Sequence, residues 1–312
     1  MKILVTGGLG FIGSHTVVEL QNEGFDVVII DDLSNSSLEV LEGITSISGI
    51  KPYFEELDLK IKSDVKSFFS KHSDVVGVIH FAASKAVGES VKEPLMYYEN
   101  NISTLVYVLQ EMTKLNRQNF IFSSSCTVYG QADELPITEN AQVKPAQSPY
   151  GNTKQIGEEI IQDTCKVNEK LNSIALRYFN PIGAHPSTEI GELPIGVPQN
   201  LVPFITQTAM GMRERLSVFG GDYATPDGTC VRDYIHVVDL AKAHVVALQR
   251  LLENKNTSNY EVFNLGTGKG SSVLEAIHSF EKVSKKKLKY KIVDRREGDI
   301  TAAYAETSKA NN

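Results

Sequence analysis

A short apolar strand, a glycine-rich loop and an amphipathic helix open the chain in that order. The strand is predicted over residues 2–6 and the helix over residues 11–23, and between them Gly7, Gly10 and Gly13 have the spacing Gly-x-x-Gly-x-x-Gly. Glycines at this spacing let the backbone turn tightly, approach a pyrophosphate and pack the helix closely on the strand. The unpaired N–H groups of the helix N-terminus then face the phosphates. This order of elements predicts a βαβ unit that binds a dinucleotide.

Two carboxylates follow the second predicted strand, residues 26–30. A carboxylate at this point can accept hydrogen bonds from an adenosine ribose. Asp31 and Asp32 together would repel a 2′-phosphate through their negative charge. We therefore expect NAD, rather than NADP, as the cofactor.

Strand-like and helix-like segments continue to alternate up to about residue 180. The predicted strands lie near residues 2–6, 26–30, 51–55, 75–81, 119–124 and 173–179. The predicted helices lie near residues 11–23, 37–47, 61–71, 94–116 and 150–168. Such alternation is typical of a parallel sheet covered by helices on both faces, with ligands at the carboxyl ends of its strands. We expect an α/β fold, a doubly wound parallel sheet of the Rossmann type with a smaller, mixed α/β substrate lobe.

The regular alternation ends near Pro181. From there to about Asp233 the chain is richer in Pro and Gly, which indicates the start of a second lobe. A helix predicted over 239–252 and a strand predicted over 260–264 indicate a return to the first domain. We expect an NAD-binding Rossmann domain over residues 1–180, with a return near 234–264, and a substrate-binding lobe over residues 181–312.

Tyr150 and Lys154 stand four residues apart at the start of a predicted helix, so they share one helix face. A phenol has an unperturbed pKa of about 10, and a nearby cation favours the phenolate, so the pair can supply a base near neutral pH. The strand before it ends in hydroxyls, of which Ser125 is the last. The spacing alone arises by chance on many helices, but here it follows the glycine loop, the acidic residue and the serine in that order. Together these parts predict hydride chemistry at a carbinol carbon.

Charge and composition exclude several classes of function. The net charge is −7, the pI is near 5.6, and the lysine triplet 285–287 is typical of a surface turn rather than of a nucleic-acid contact. No apolar stretch reaches about 18 residues, so we expect no membrane partner. Met1 and Lys2 lead directly into the first strand, which leaves no room for a signal peptide. With three scattered cysteines, these features predict a cytoplasmic protein.

Three local features receive a structural interpretation. The run 266–271 is rich in glycine but lacks the register of a phosphate loop, so we expect a turn in which Ser271 or Ser272 caps the next helix. Cys126 has no histidine neighbour in sequence and is predicted to be a small buried side chain. The seven histidines show no zinc-ligand spacing; His80, at a strand end, is predicted to be packed, and we expect no metal site.

Segments along essentially the whole chain are similar to those of a known family. These segments are Gly7–His15, His80–Ser90, Tyr97–Asn101, Ser123–Gly130, Tyr178–His185, Asp227–Val237 and Asn264–Gly268. On them the chain resembles the extended short-chain dehydrogenase/reductases and, more narrowly, the UDP-glucose 4-epimerases. The segments around Lys85 and Arg232 carry the narrower resemblance. It implies an isomerase of galactose and carbohydrate metabolism that takes a UDP-sugar as its substrate.

The resemblance implies a mechanism in which NAD stays bound. Tyr150 removes the proton of the sugar 4″-hydroxyl while C4″ gives hydride to the nicotinamide, and Ser125 hydrogen-bonds the same oxygen. Lys154 holds the nicotinamide ribose and lowers the pKa of Tyr150. The 4-keto sugar then rotates about its phosphate linkage, and the hydride returns to the other face.

The resemblance also implies two sets of contacts. On the cofactor side they are Gly7, Gly10, Phe11, Ile12, Gly13, Asp31, Asp32, Asn35, Asp58, Leu59, Phe81, Ala82, Lys85, Asn100, Ser125, Tyr150, Lys154 and Phe179. On the substrate side they are Lys85, Ser125, Tyr150, Tyr178, Asn180, Asn200, Leu201, Arg232, Arg296, Asp299 and Ala303. Arg232 and Arg296 suit the UDP diphosphate and Asp299 suits the uridine ribose.

Three further expectations follow from the resemblance. Ala303 stands where a bulky residue would crowd the sugar, so the N-acetylated substrates UDP-GlcNAc and UDP-GalNAc are also expected to fit. Helices 94–116 and 150–168 are expected to pair with their copies in a homodimer. The family continues past residue 310 with a helical tail that often contains tryptophan, whereas this chain ends at Asn312 and has no Trp, so the tail is expected to be missing.

Two alternatives stay open. One is another nucleotide-sugar enzyme of this fold: a UDP-glucuronate 4-epimerase is not excluded by the sequence, whereas a 4,6-dehydratase would need an Asp-Glu pair where the chain has Cys126 and Thr127. The other is a non-catalytic NAD-binding regulatory protein. Such proteins commonly lose the tyrosine or the lysine, and both are present here.

Overall fold

Seven parallel strands form the central sheet of the protein, in a computed structural model that describes residues 1–115, 118–296 and 299–312. Its elements through the sixth strand are β1 (Lys2–Thr6), α1 (Phe11–Asn22), β2 (Asp26–Asp31), α2 (Glu39–Ser48), β3 (Tyr53–Glu56), α3 (Lys62–Lys71), β4 (Val75–His80), α4 (Val87–Lys92), α5 (Pro94–Met112), β5 (Gln118–Ser123), α6 (Pro149–Val167) and β6 (Leu171–Tyr178). A single 3₁₀ turn, Cys126–Tyr129, lies between β5 and α6.

The remaining elements build the second lobe and complete the sheet. They are β7 (Asn180–Ile182), α7 (Leu201–Ala209), β8 (Leu216–Phe219), β9 (Val231–His236), α8 (Val237–Leu252), β10 (Tyr260–Leu265), β11 (Gly270–Ser272), α9 (Val273–Ser284), β12 (Tyr290–Val293), β13 (Ala302–Ala303) and α10 (Ser308–Asn311). The sheet order is β3-β2-β1-β4-β5-β6-β10, and neighbouring strands are parallel throughout. This confirms the predicted doubly wound fold.

Each strand and helix predicted from the sequence is present. The largest difference is in α5, predicted over 94–116, which ends at Met112; residue 116 lies outside the described residues. Helices α4, α7 and α10 and the short strands of the second lobe were not predicted. Their segments are short or interrupted by Pro and Gly, so periodicity gives a weak signal there.

Alternate side chains of the buried strands face opposite layers of helices. In β1, Ile3 and Val5 pack with α1, α2 and α8, whereas Leu4 packs in the layer formed by α3, α5 and α6. Both faces are therefore apolar, which is why these strands read as nearly continuous hydrophobic runs. The predicted return of the chain near 234–264 corresponds to α8 and β10, and β10 pairs with β6 at the edge of the sheet. The division into an NAD-binding and a substrate-binding domain stays a prediction.

The second lobe contains small sheets beside the carboxyl edge of the main sheet. Strand β9 pairs with β7, β11 and β13, and β8 pairs with β12. In the main sheet the chain turns in opposite directions after β1 and β4, which lie side by side. A crevice opens at such a point in doubly wound sheets, so the loops after β1, β4, β5 and β6 are the ones that face a ligand.

Within the described residues, no helix has both the length and the apolar character needed to cross a membrane.

Candidate active site

The glycine loop brings the N-terminus of α1 close to the neighbouring strand ends. Gly7 has a φ of +67°, and a Cβ built on it would lie 2.8 Å from the backbone nitrogen of Ala82. A Cβ on Gly13 would lie 2.2 Å from the Gly7 carbonyl oxygen. Side chains are thus excluded at both positions by close backbone approach. Gly10 precedes α1 and offers no side-chain cap, so N–H groups of the first turn are available to a phosphate.

Asp31 holds this loop from the end of β2. One carboxylate oxygen accepts a hydrogen bond from the Leu9 amide at 3.0 Å, and the other accepts from Leu33 N and Ser36 Oγ. Burial is the main influence on this carboxyl and raises its pKa. Asp32 is exposed and accepts from Ser34. The structure therefore gives Asp31 a loop-binding role, and the predicted ribose contacts of Asp31 and Asp32 stay predictions.

Ser125, Tyr150 and Lys154 meet where β5 ends and α6 begins. Ser148 caps α6 by accepting from Gly151 N at 3.2 Å, which sets the start of the helix. Lys154 donates to the Ser123 carbonyl oxygen at 2.7 Å, and its Nζ lies 5.8 Å from the centroid of the Tyr150 ring. The three predicted catalytic side chains are all buried. The structure thus brings the hydroxyl, the phenol and the ammonium group together as predicted.

Burial controls the charge states of the pair. It raises the pKa of the Tyr150 phenol, and Tyr178 adds to this rise, whereas Ser125 acts in the opposite direction. It lowers the pKa of Lys154 to about 8, and the Glu158 carboxylate partly offsets this. Desolvation therefore disfavours the phenolate in the protein alone. The prediction that Lys154 lowers the pKa of Tyr150 concerns the NAD-bound state and stays a prediction.

A buried ion pair joins Glu158 of α6 to Arg177 of β6, and it was not predicted from the sequence. Glu158 accepts from Arg177 Nε at 2.9 Å and Nη2 at 2.5 Å, and from Ser124 Oγ at 2.5 Å. Arg177 also lies 4.8 Å from the centroid of the Tyr129 ring. Glu158 is four residues after Lys154 and therefore lies on the same helix face. This spacing is the sequence feature from which a role for Glu158 beside the site could have been predicted.

The loop after β4 is held by α5. Asn101 accepts from Ser84 N at 2.8 Å and donates to Ser84 O at 3.0 Å, while Asn100 donates to Ser84 Oγ. The Tyr97 hydroxyl accepts from Ala86 N at 2.9 Å. These bonds fix the backbone on both sides of Lys85. The predicted contact residue Lys85 therefore lies on a loop with a fixed backbone, and the predicted contact residue Asn100 lies on the helix that holds this loop.

Arg232, Arg296 and Asp299 meet on the second lobe. Asp299 is paired with Arg232 Nη2 through one oxygen and lies 3.5 Å from Arg296 Nη2 through the other. Strand β13 places Ala303 opposite Arg232 in register. The Ala303 side chain is only 2 % exposed and packs with Val128 and Phe179.

Tyr304 does not fill the space at Ala303. Its ring lies against Gly270, where a built Cβ would be 3.1 Å from the ring carbon Cδ1. Neighbouring residues in an extended strand point to opposite faces, which separates the two side chains. Between the predicted contacts Arg296 and Asp299, residues 297 and 298 lie outside the described residues.

The other predicted contacts lie on the same edge or on its flanks. Phe11 and Ile12 begin α1, and Asn35 is exposed after β2. After β3, Asp58 accepts a hydrogen bond from Lys60 N, and Leu59 is a core residue. The Phe81 ring packs against the His244 ring at a tilt of 48° with centroids 4.7 Å apart, and the Tyr178 hydroxyl lies 2.5 Å from Ser123 Oγ. Ala82 follows β4 beside Gly7, Asn180 begins β7, Asn200 precedes α7 and Leu201 begins α7.

The structure also tests the local interpretations. Ser272 forms a capping box with Glu275 at the start of α9, which confirms the predicted cap. His80 is packed, with its Nδ1 2.8 Å from Thr6 Oγ1. Cys126 is only partly buried rather than fully so, but desolvation raises the pKa of its thiol to about 11, which disfavours a thiolate. The described part of the chain holds no cluster of metal-ligating side chains.

Comparison with known proteins gives full-length matches. Residues 3–266 match the NAD dependent epimerase/dehydratase family. The UDP-glucose 4-epimerase of Haemophilus influenzae is 50% identical over 310 residues, which cover 99% of this chain and 90% of that protein.

Two solved structures are similar over nearly the whole fold. A UDP-glucose-4-epimerase from Stenotrophomonas maltophila, with bound NAD and formylated UDP-arabinopyranose, matches with a TM-score of 0.94, 46% identity and coverage of 99% of this chain and 91% of that one. A UDP-glucose 4-epimerase from Bifidobacterium longum, in complex with NAD+ and UDP, matches with a TM-score of 0.95, 45% identity and coverage of 100% and 91%.

Proposed function

This chain belongs to the NAD dependent epimerase/dehydratase family, and from that premise we propose that it interconverts UDP-glucose and UDP-galactose with NAD as a bound cofactor. The observation that carries the proposal is the buried set Ser125, Tyr150 and Lys154 beside the glycine loop. The second lobe adds Arg232 across the same edge, where a diphosphate would be anchored. Both the relatives and the site chemistry support an isomerase.

The residues at the carboxyl edge fit NAD. Gly7 and Gly13 leave room only for backbone, the uncapped start of α1 suits a pyrophosphate, and the carboxylate of Asp31 excludes a 2′-phosphate by charge. Lys154 is held by the Ser123 carbonyl in a position that suits the nicotinamide ribose. The remaining cofactor contacts proposed are those predicted on the loops after β2, β3, β4 and β6.

Bound NAD would supply the acceptor and then the donor of the hydride at C4″ of the sugar. Tyr150 accepts the proton of the 4″-hydroxyl and later gives it back, and the Ser125 hydroxyl orients the same oxygen. Because burial raises the pKa of Tyr150, this base needs positive charge close by, and the Lys154 ammonium group supplies it.

Rotation of the keto sugar requires a fixed anchor on the nucleotide. Arg232 and Arg296 carry positive charge on one wall, and Asp299 holds both guanidinium groups. We assign the diphosphate to the two arginines and the uridine ribose to Asp299, with Asn180, Asn200 and Leu201 completing this side. Because the protein binds the substrate mainly through its UDP part, the sugar can rotate and present either face to the nicotinamide.

Mixing the purified protein with UDP-galactose and measuring UDP-glucose tests the activity. The reaction is redox-neutral, so NAD should remain bound and no NADH should accumulate in solution. Steady release of NADH would instead indicate a dehydrogenase. Turnover of UDP-glucuronate without turnover of UDP-galactose would favour the uronate epimerase, and retention of NAD without turnover of any UDP-sugar would favour a regulatory protein.

We propose that N-acetylated UDP-sugars are also substrates, since Ala303 is small and stands in register with Arg232. The three free cysteines suit a reducing compartment, which supports a cytoplasmic location.

We also propose a homodimer through α5 and α6. Their apolar residues divide into two groups, of which Leu105, Leu109, Met112 and Ile161 are buried against the sheet. Leu95 is 81 % exposed, and Ile102, Val106 and Ile156 are partly exposed on the outer side. This outward group favours a partner helix pair. A monomeric mass in light scattering at micromolar protein would refute the dimer.

A further inference from the structure

Glu192 lies in the loop between β7 and α7, and its carboxylate touches both sides of the candidate site. Its Oε1 lies 3.6 Å from Lys85 Nζ and accepts a hydrogen bond from Asn200 Nδ2 at 2.5 Å. The side chain is 10 % exposed. One carboxylate oxygen therefore joins the loop after β4 to the residue that precedes α7.

The backbone around Lys85 is fixed without Glu192. Ser84 and Ala86 are bound by side chains of α5, and Asn101 of α5 also donates to Thr153 Oγ1 on the catalytic helix at 3.0 Å. The Lys85 side chain, by contrast, is 50 % exposed and has four rotatable bonds. The contact with Glu192 restricts the conformations of this flexible side chain and orients its ammonium group.

Asn200 shows an unusual choice of partner. It occupies the N-cap position of α7, where an asparagine side chain ordinarily accepts from a backbone N–H, yet it makes no such bond. Its amide donates to Glu192 instead. The helix forgoes a cap that typically stabilises by about 1 kcal/mol, which indicates that the position of this amide serves the site.

We propose that Glu192 is a positioning residue that orders Lys85 and Asn200 for the nucleotide part of the UDP-sugar. This rests on the proposed function, in which Asn200 contacts the substrate, and on the substrate contact predicted for Lys85. The carboxylate would repel a diphosphate on its own, and the contact with Lys85 offsets that charge. Substrate affinity, rather than the proton and hydride steps at Tyr150, depends on Glu192.

The test measures UDP binding by calorimetry together with kcat, KM for UDP-galactose and bound NAD. Glu192→Ala should raise the Kd of UDP and the KM about tenfold, with kcat within about threefold and NAD content unchanged. Glu192→Gln keeps an acceptor for Asn200 and should recover most of the affinity. Glu189→Ala, an exposed glutamate of the same loop, is the matched control and should behave as the wild type.

Asn200→Ala should weaken UDP about as much as Glu192→Ala, and the double variant should be no weaker than either. Unchanged UDP affinity in Glu192→Ala, or additive losses in the double variant, overturns the inference. If Glu192→Ala does not fold, Asn200→Ala decides: wild-type UDP affinity in that variant overturns the inference. A wild type that binds UDP but turns over no UDP-sugar refutes the proposed function, while the UDP affinities of the variants still test Glu192.

Discussion

Replacing Lys154 with Met would test how the ammonium group assists the Tyr150 base. The two are buried, and Nζ lies 5.8 Å from the centroid of the Tyr150 ring. At that separation and an effective dielectric constant of about 20, a unit positive charge stabilises a phenolate by about 3 kcal/mol. This corresponds to about two pKa units, so the rate at neutral pH should fall about 100-fold.

The loss of activity in Lys154→Met should depend on pH. Burial lowers the pKa of Lys154 to about 8, so the ammonium group is present below that pH and is lost above it. The wild-type advantage over Lys154→Met should therefore be largest below pH 8 and shrink as the pH rises. Initial rates with UDP-galactose at a series of pH values, with bound NAD measured in parallel, give the ratio directly.

Tyr150→Phe provides the control background. That variant lacks the phenol, so adding Lys154→Met to it should cost little further activity if the lysine acts through the tyrosine. The electrostatic argument is refuted if Lys154→Met keeps more than a third of wild-type kcat with NAD bound. Full additivity of the two substitutions would refute it as well.

Three other substitutions or conditions make separate tests. Burial lowers the pKa of His15 to about 4, of His80 to about 3 and of His244 to about 4, so unfolding takes up protons as the pH falls below 6.5. Stability should be full above pH 6.5 and fall by on the order of 1 kcal/mol per pH unit for each histidine toward pH 4; equal denaturant midpoints at pH 7 and pH 5 would contradict this. Arg177→Met leaves Glu158 buried without its guanidinium partner and should cost about 3–5 kcal/mol in denaturant unfolding, and a loss below about 1 kcal/mol would be inconsistent with a buried pair. Ala303→Tyr should lower kcat/KM for UDP-GlcNAc relative to UDP-glucose about 10–200-fold, and an unchanged ratio would mean that Ala303 does not gate the pocket.

Features that depend on local sequence were predictable. The glycine spacing, the alternation of strands and helices and the Tyr150–Lys154 pair each express a rule that acts over a few residues. The sequence therefore predicted the parallel sheet, its carboxyl edge as the ligand side and the three catalytic candidates.

The second lobe was less predictable, because its elements are short and its strands pair with partners far along the chain. Strand β9 pairs with β7, β11 and β13, and no periodic pattern marks pairings of this kind. The roles of Glu158 and Glu192 were missed for the same reason. Glu158 meets Arg177 of β6, and Glu192 meets Lys85 of a distant loop.

The sequence by itself determined which groups are present and which of them share a helix face or a strand end. Only the tertiary structure decided how far each group is desolvated. Burial raises the pKa of the Tyr150 phenol, and the fold brings the Asp31 carboxylate within hydrogen-bond distance of the glycine loop. Desolvation depends on every segment packed around a group, so no window of sequence contains it.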